Sequence, residues 1–186
     1  MTRVKAAPGR KKAAAPSEAL IVVDMLNDFC EEGAPLYVPS TREAIPNIAR
    51  ELRRTRGLGA PIIFVCDSHA YDDPEFAYWP PHAVAGTDGA AVVAELSPLP
   101  GEHVVEKTTL SSFLKTRLDA VLRKHRVKDV AVAGCVTEIC ILYTVFDLIS
   151  RGFRVRVVKD CVAGLDPKMH AFALDHMERV LRASVA

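Results

Sequence analysis

Val130-Ala131-Val132-Ala133-Gly134-Cys135-Val136-Thr137-Glu138-Ile139-Cys140-Ile141-Leu142 passes from an unbroken apolar run into a helical pattern. A run without polar alternation suits a strand buried on both faces, as in a parallel sheet. Beyond it, Ile141, Leu142, Val145, Phe146 and Ile149 recur at helical spacing within Thr137–Arg151, and Gly152 supplies a stop. A strand leading directly into an amphipathic helix is half of a βαβ unit.

The same alternation continues on either side. Apolar runs stand at Ala19–Val23, Pro61–Val65, His103–Val105 and Val155–Val158. Amphipathic segments stand between and after them, at Thr41–Arg56, Ser111–His125 and Pro167–Arg182. The pattern predicts an α/β fold with a doubly wound, mostly parallel sheet and helices on both faces, a Rossmann-like three-layer arrangement. The 186 residues suit one domain, expected over residues 17–186. Residues 1–16 are rich in Ala, Lys, Arg and Pro and contain no acid, which predicts a flexible basic tail.

Composition narrows the function. A formal net charge of +1 gives no basis for nucleic-acid or membrane-surface binding. No apolar run reaches the ~20 residues of a membrane span. Five cysteines, an odd number with no CxxC, argue against a disulfide framework and for a reducing cytoplasm. Most such cysteines are small core residues.

Asp24, Asp67, Lys107 and Cys140 each fall at or just past the C-terminal end of a predicted strand. Open α/β sheets bind ligands along that edge. Thr137 is a candidate N-cap, which puts Cys140 in a first helical turn where unpaired amides favour a thiolate. Asp24, following an apolar run, is a desolvated candidate base, and Lys107 a cation that favours thiolate and steadies an anion. A second group follows the Pro61–Val65 run. In Asp67-Ser68-His69, Asp67 and His69 share a side if the chain is still extended, and Glu75 and His82 come soon after. Two imidazoles with one or two carboxylates suit zinc, iron or manganese. They equally suit the two-His-one-carboxylate iron centre of an oxygenase, a reading that leaves Cys140 and Lys107 without a task.

Taken together, these segments resemble the isochorismatase-like cysteine hydrolase superfamily, and within it the nicotinamidase branch. The resemblance rests on Leu20–Phe29, Asp67-Ser68-His69, Trp79–Ala90, Glu106-Lys107 with Ser111-Ser112-Phe113, Gly134–Cys140 and Lys159-Asp160-Cys161. It implies an Asp24–Lys107–Cys140 catalytic triad and one divalent metal ion, zinc before iron or manganese, on Asp67, His69 and His82. Glu75 falls where some members place a fourth ligand. Phe29 and Trp79 match aromatic walls around a pyridine ring, and the Cys135–Val136 bond matches a cis peptide. The amides of Val136 and Cys140 would then form the oxyanion hole.

The implied reaction is nicotinamide plus water to nicotinate plus ammonia through a thioester on Cys140. The alternatives are another amide or carbamoyl hydrolase with the same triad, and a non-catalytic binding relative. Members often self-associate, so a homo-oligomer is compatible with the resemblance. Three features depart from the family pattern: Leu26 where Gln is usual, a short stretch from Lys107 to Phe113, and only a stub for a last strand after Val180.

Overall fold

The computed structural model describes residues 17–186, so the basic tail expected over residues 1–16 lies outside them. Strands form where the apolar runs stand. β1 (Glu18–Val23), β2 (Ile62–Asp67), β3 (His103–Lys107), β4 (Asp129–Cys135), β5 (Arg154–Ala163) and β6 (Ser184–Val185) build one six-stranded sheet in the order β3-β2-β1-β4-β5-β6. Every neighbouring pair is parallel. The two-residue β6 is the stub that the C-terminal sequence allows.

Alternate residues of each inner strand enter opposite cores, as the period of two dictates. Ala19, Ile21 and Val23 pack with Leu118, Val145 and Met177. These come from α3 (Leu118–Lys124), α4 (Leu142–Ser150) and α5 (Pro167–Arg179). Leu20 and Val22 face the other way, onto Ile45, Ile48 and Leu52 of α2 (Pro39–Gly57). Each such Leu or Ile withdrawn from water contributes roughly 1.5–3 kcal/mol. A short α1 (Asn27–Cys30) follows β1.

Two predicted elements differ. The segment Ser111–His125 is helical only over Leu118–Lys124. Before that, Ser111 Oγ accepts from the amides of Phe113 and Leu114 (3.1 and 3.0 Å) and donates to Asp147 (2.6 Å). Those local bonds satisfy the backbone in a loop and outcompete a helical turn. Thr137 is not the N-cap. That position is Val136, and Thr137–Ile141 form a π-helical turn leading into α4. The Thr137 hydroxyl instead lies 2.9 Å from His170 Nδ1 on α5.

Strand order reverses between β1 and β4, and a crevice opens beyond the carboxyl ends of that pair. Gly134 makes their ends fit. It has φ 118, and a Cβ there would lie 2.0 Å from the Val23 carbonyl oxygen. That obstacle is backbone and cannot rotate away. On the α2 face, buried Glu51 accepts from Arg54 (2.9 Å) and from Arg156 of β5 (2.9 Å). The Arg54 hydrogen bond, joined by Arg156 and opposed by burial, holds its carboxyl below the ordinary 4.5.

Gly134→Ala is expected to cost several kcal/mol and lower the melting temperature by about 10 °C or more, read by thermal unfolding. Glu51→Gln should cost about 1–2 kcal/mol at pH 7, discounted for its half-exposed arginines. A depressed carboxyl stabilises above its unfolded value and loses that contribution as pH falls through its folded one. The melting gap between Glu51→Gln and the parent chain should therefore be full at pH 7 and shrink below about pH 4.5. A gap that persists unchanged at pH 3 would contradict the assignment.

Candidate active site

Asp24 is the first residue past β1 and turns at φ 51, a left-handed conformation that Asp tolerates better than most residues. Its amide donates to the Val65 carbonyl (2.8 Å), and its Oδ1 accepts from the Asp67 amide (2.8 Å). One carboxylate oxygen is thus fixed to β2. The other, Oδ2, lies 2.8 Å from Lys107 Nζ. Lys107 ends β3 in register with Asp67 and reaches across β2 to Asp24. Its buried ammonium also contacts Asp67 Oδ1 and lies 3.6 Å from Cys140 Sγ. Cys140 arrives from the π-helical turn after β4. Side-chain ligand atoms of Asp24, Asp67 and Cys140 all lie within 4.8 Å of one another. Three residues far apart in the chain therefore meet because each ends, or just follows, a neighbouring parallel strand.

Burial decides the charges here. It pushes the Asp24 carboxyl up to about 6, helped by the negative Asp67 and opposed by Lys107. It pushes the Cys140 thiol well above its ordinary value, against the pull of Lys107. The sequence argument expects Lys107 to favour a thiolate; in the folded chain desolvation wins, and the sulfur rests as a thiol beside a base. Burial works to discharge Lys107, but Asp24 and Asp67 outweigh it and hold its ammonium well above the usual range.

Asp67, His69 and His82 form a second buried group whose ligand atoms also lie within 4.8 Å of one another. Neither ring nitrogen of His69 makes a hydrogen bond of acceptable geometry. Asp73 Oδ2 is 3.1 Å from its Nδ1, and Asp67 Oδ1 is 3.8 Å from its Nε2. His82 Nδ1 lies 2.8 Å from the Pro80 carbonyl, which fixes that nitrogen as the donor and leaves Nε2 as a ligand atom. Asp67, against the effect of burial, pushes His69 up to about 9. Orphaned imidazole nitrogens beside carboxylates are a donor set that fits a divalent cation.

A cavity of about 420 Å³ joins the two groups. Asp67, His82 and Cys140 line it, with Phe29, Trp79 and Leu110 among its apolar walls and, among the described residues, no Lys or Arg. Phe29 is buried, its ring 5.5 Å from His82, while Trp79 is partly exposed. Glu75, on the 3-10 turn Pro74–Ala77, lines the cavity but lies outside the three-ligand group. Leu26, where Gln is usual, is wholly buried and pairs with Val92. The Cys135–Val136 peptide is cis. Asp67 belongs to both groups, as its place at a strand end and in the Asp67-Ser68-His69 stretch leads one to expect; sequence reasoning missed Asp73 and Leu110, which sit in loops without a period to mark them. Among the described residues no helix is long and apolar enough to cross a membrane.

The parallel sheet thus gathers a cysteine, an acid and a lysine at one strand edge, the chemistry of a cysteine hydrolase on an α/β fold. The Isochorismatase domain family matches residues 18–185, and the chain belongs to that family. It is similar to the structure of nicotinamidase PncA from Bacillus subtilis, at 32% identity and a TM-score of 0.87, covering 92% of this chain and 99% of that one. The pyrazinamidase of Pyrococcus horikoshii, solved in complex with zinc, is 33% identical with a TM-score of 0.86, covering 92% and 99%. N-carbamoylsarcosine amidase from Thermoplasma acidophilum is 36% identical with a TM-score of 0.82, covering 90% and 94%.

Proposed function

We propose that the chain is a metal-assisted cysteine amidohydrolase of small neutral aromatic amides, converting nicotinamide and water to nicotinate and ammonia. One observation carries the reading. Lys107 Nζ stands 2.8 Å from Asp24 and 3.6 Å from the Cys140 sulfur, at a cavity with aromatic walls. N-carbamoylsarcosine bears a carboxylate, and among the described residues the cavity lining offers it no Lys or Arg. The nicotinamidase and pyrazinamidase neighbours support the neutral ring amide. Five free cysteines support a reducing cytoplasmic setting.

In this reading Asp24, poised near 6, takes the thiol proton as Cys140 attacks the carboxamide carbon. The amides of Val136 and Cys140 stabilise the oxyanion, a donor being worth roughly 3 kcal/mol. The turn supports that role: the Ile139 and Ile141 amides take up the Val136 carbonyl at 3.0 and 3.1 Å, and the Cys140 amide between them does not. Lys107 stays charged and balances Asp24 and the developing anion. Protonated Asp24 then gives its proton to the departing nitrogen, which leaves as ammonia. Asp24 next removes a proton from water, which hydrolyses the Cys140 thioester, releasing nicotinate and restoring the thiol. Phe29 and Trp79 hold the ring. A divalent ion, zinc before iron or manganese, held by Asp67, His69 and His82 would bind the ring nitrogen and orient the carboxamide.

Cys140→Ala is expected to reduce ammonia release from nicotinamide about 10⁴-fold or more, and Asp24→Asn about 10³-fold or more, with folding intact by circular dichroism. Normal turnover in either variant would end the proposal. In an amide panel, nicotinamide should exceed carboxylate-bearing amides at least about tenfold in kcat/KM. Stripping the metal should raise KM more than it lowers the melting temperature. His69→Ala and His82→Ala should lose a bound zinc ion that Glu75→Gln retains, measured by metal content after gel filtration. Loss in Glu75→Gln with retention in the histidine variants would reassign the ligands.

A further inference from the structure

Two stretches of the sequence have no task in this chemistry: Asn27-Asp28 on α1 and Gly86–Ala90 after His82. In the folded chain they meet. Asp28 Oδ2 accepts from the Ala83 amide at 2.7 Å. Ala83 directly follows His82, is fully buried, and sits at φ 43. That conformation is disfavoured for a residue with a Cβ and needs a holding contact. Ala83 also accepts the His69 amide (2.9 Å), and the Ala85 amide returns to the His69 carbonyl (2.9 Å). One short backbone stretch therefore carries His82, is zipped to His69, and is tied to α1 by a single carboxylate.

Gly89 forms the other wall of that tie. A Cβ at Gly89 would lie 2.2 Å from Asp28 Oδ2 and 2.4 Å from its Cγ, so the carboxylate rests against the bare α-carbon. Asn27 draws the segment in, its Nδ2 donating to the Asp88 carbonyl (2.8 Å) and its amide to Ala91 (3.0 Å). Asp28 is neither in the cavity lining nor in the group of Asp67, His69 and His82.

We propose that Asp28 is a positioning residue: seated against Gly89, its carboxylate holds the Ala83 amide so that His82 presents its ring to Asp67 and His69. A charge-assisted bond to a backbone amide is the stronger kind, and such outer partners of metal ligands typically govern affinity by 10–100-fold. The proposal rests on the three-ligand reading.

The test titrates zinc chloride into metal-stripped, full-length protein against a chromophoric chelator. It is paired with hydrogen exchange over residues 82–85 and with melting of the metal-free chains. Asp28→Ala should weaken zinc binding 10–100-fold and speed exchange at Ala83. Gly89→Ala, which keeps Asp28 but evicts its carboxylate, should do the same. Asp28→Asn retains an acceptor oxygen and should lose less than about tenfold. Wild-type zinc affinity in Gly89→Ala, or an Asn loss equal to the Ala loss, overturns the proposal; if Asp28→Ala does not fold, Gly89→Ala and Asp28→Asn decide it. A parent chain that takes up no zinc fails the ligand reading alone. The clamp is then judged by exchange, and unchanged exchange in Gly89→Ala overturns it.

Discussion

A lysine ammonium buried between two aspartates is the constraint on which the site depends. Lys107 has no water to solvate it and survives as a cation only because Asp24 and Asp67 lie against it. Removing one partner of such a group leaves an uncompensated buried charge, at a cost of about 3–5 kcal/mol. The arrangement therefore holds β1, β2 and β3 in a fixed relation at their carboxyl ends. It also sets the proton inventory. Two carboxylates share one ammonium, so one of them is driven toward its acid form, and burial with the nearby Asp67 charge assigns that tendency to Asp24. Cys140, next in line, keeps its proton at rest. The acid, the lysine and the thiol are thus one coupled system, with the base already placed for the sulfur's proton.

Asp67 links this system to the histidines, because it belongs to both clusters of ligand atoms. The charge it faces on the His69 and His82 side determines how much negative potential Asp24 experiences. The clusters adjoin because β2 lies between β1 and β3, so its last residue borders both Asp24 and Lys107. The close approach of β4 to β1 at Gly134 then brings the nucleophile's turn within reach. A bulkier residue there would hold the two strand ends apart, and the sulfur would retreat from the lysine.

The strands and the converging residues were legible because they follow from one periodic signal. Five apolar runs marked strands, and residues that end parallel strands share an edge; Asp24, Lys107 and Cys140 meet for that reason. The resemblance to a known family then gave Phe29 and Trp79 their place at the cavity. What the sequence obscured depends on single polar bonds. Ser111 replaces part of a helix with a loop by bonding two local amides and Asp147. Thr137 bonds His170 rather than capping its helix. The fit of Asp28 against Gly89 joins segments whose spacing has no period. Desolvation was underestimated for a similar reason: a string of residues shows that Lys107 is near Cys140 in the fold's logic, but not that both are buried.

Charge also restricts what the cavity can hold. Among the described residues its lining carries Asp67 and Glu75, and no lysine or arginine. A carboxylate on a substrate at about 5 Å from one such group would meet about 3 kcal/mol of repulsion at an effective dielectric constant of 20. That is a factor of roughly 10² in affinity. Lys107 offers little relief, since its charge is already shared by Asp24 and Asp67. A divalent cation at the histidines would balance Asp67 and Glu75 rather than exceed them, so an anionic amide would still find no net positive charge. On the proposed reading, a neutral ring would escape the penalty and gain contact with Phe29 and Trp79. On the proposed reading, a preference for neutral amides would follow from the lack of a lysine or arginine among the described lining residues as much as from the aromatic walls themselves.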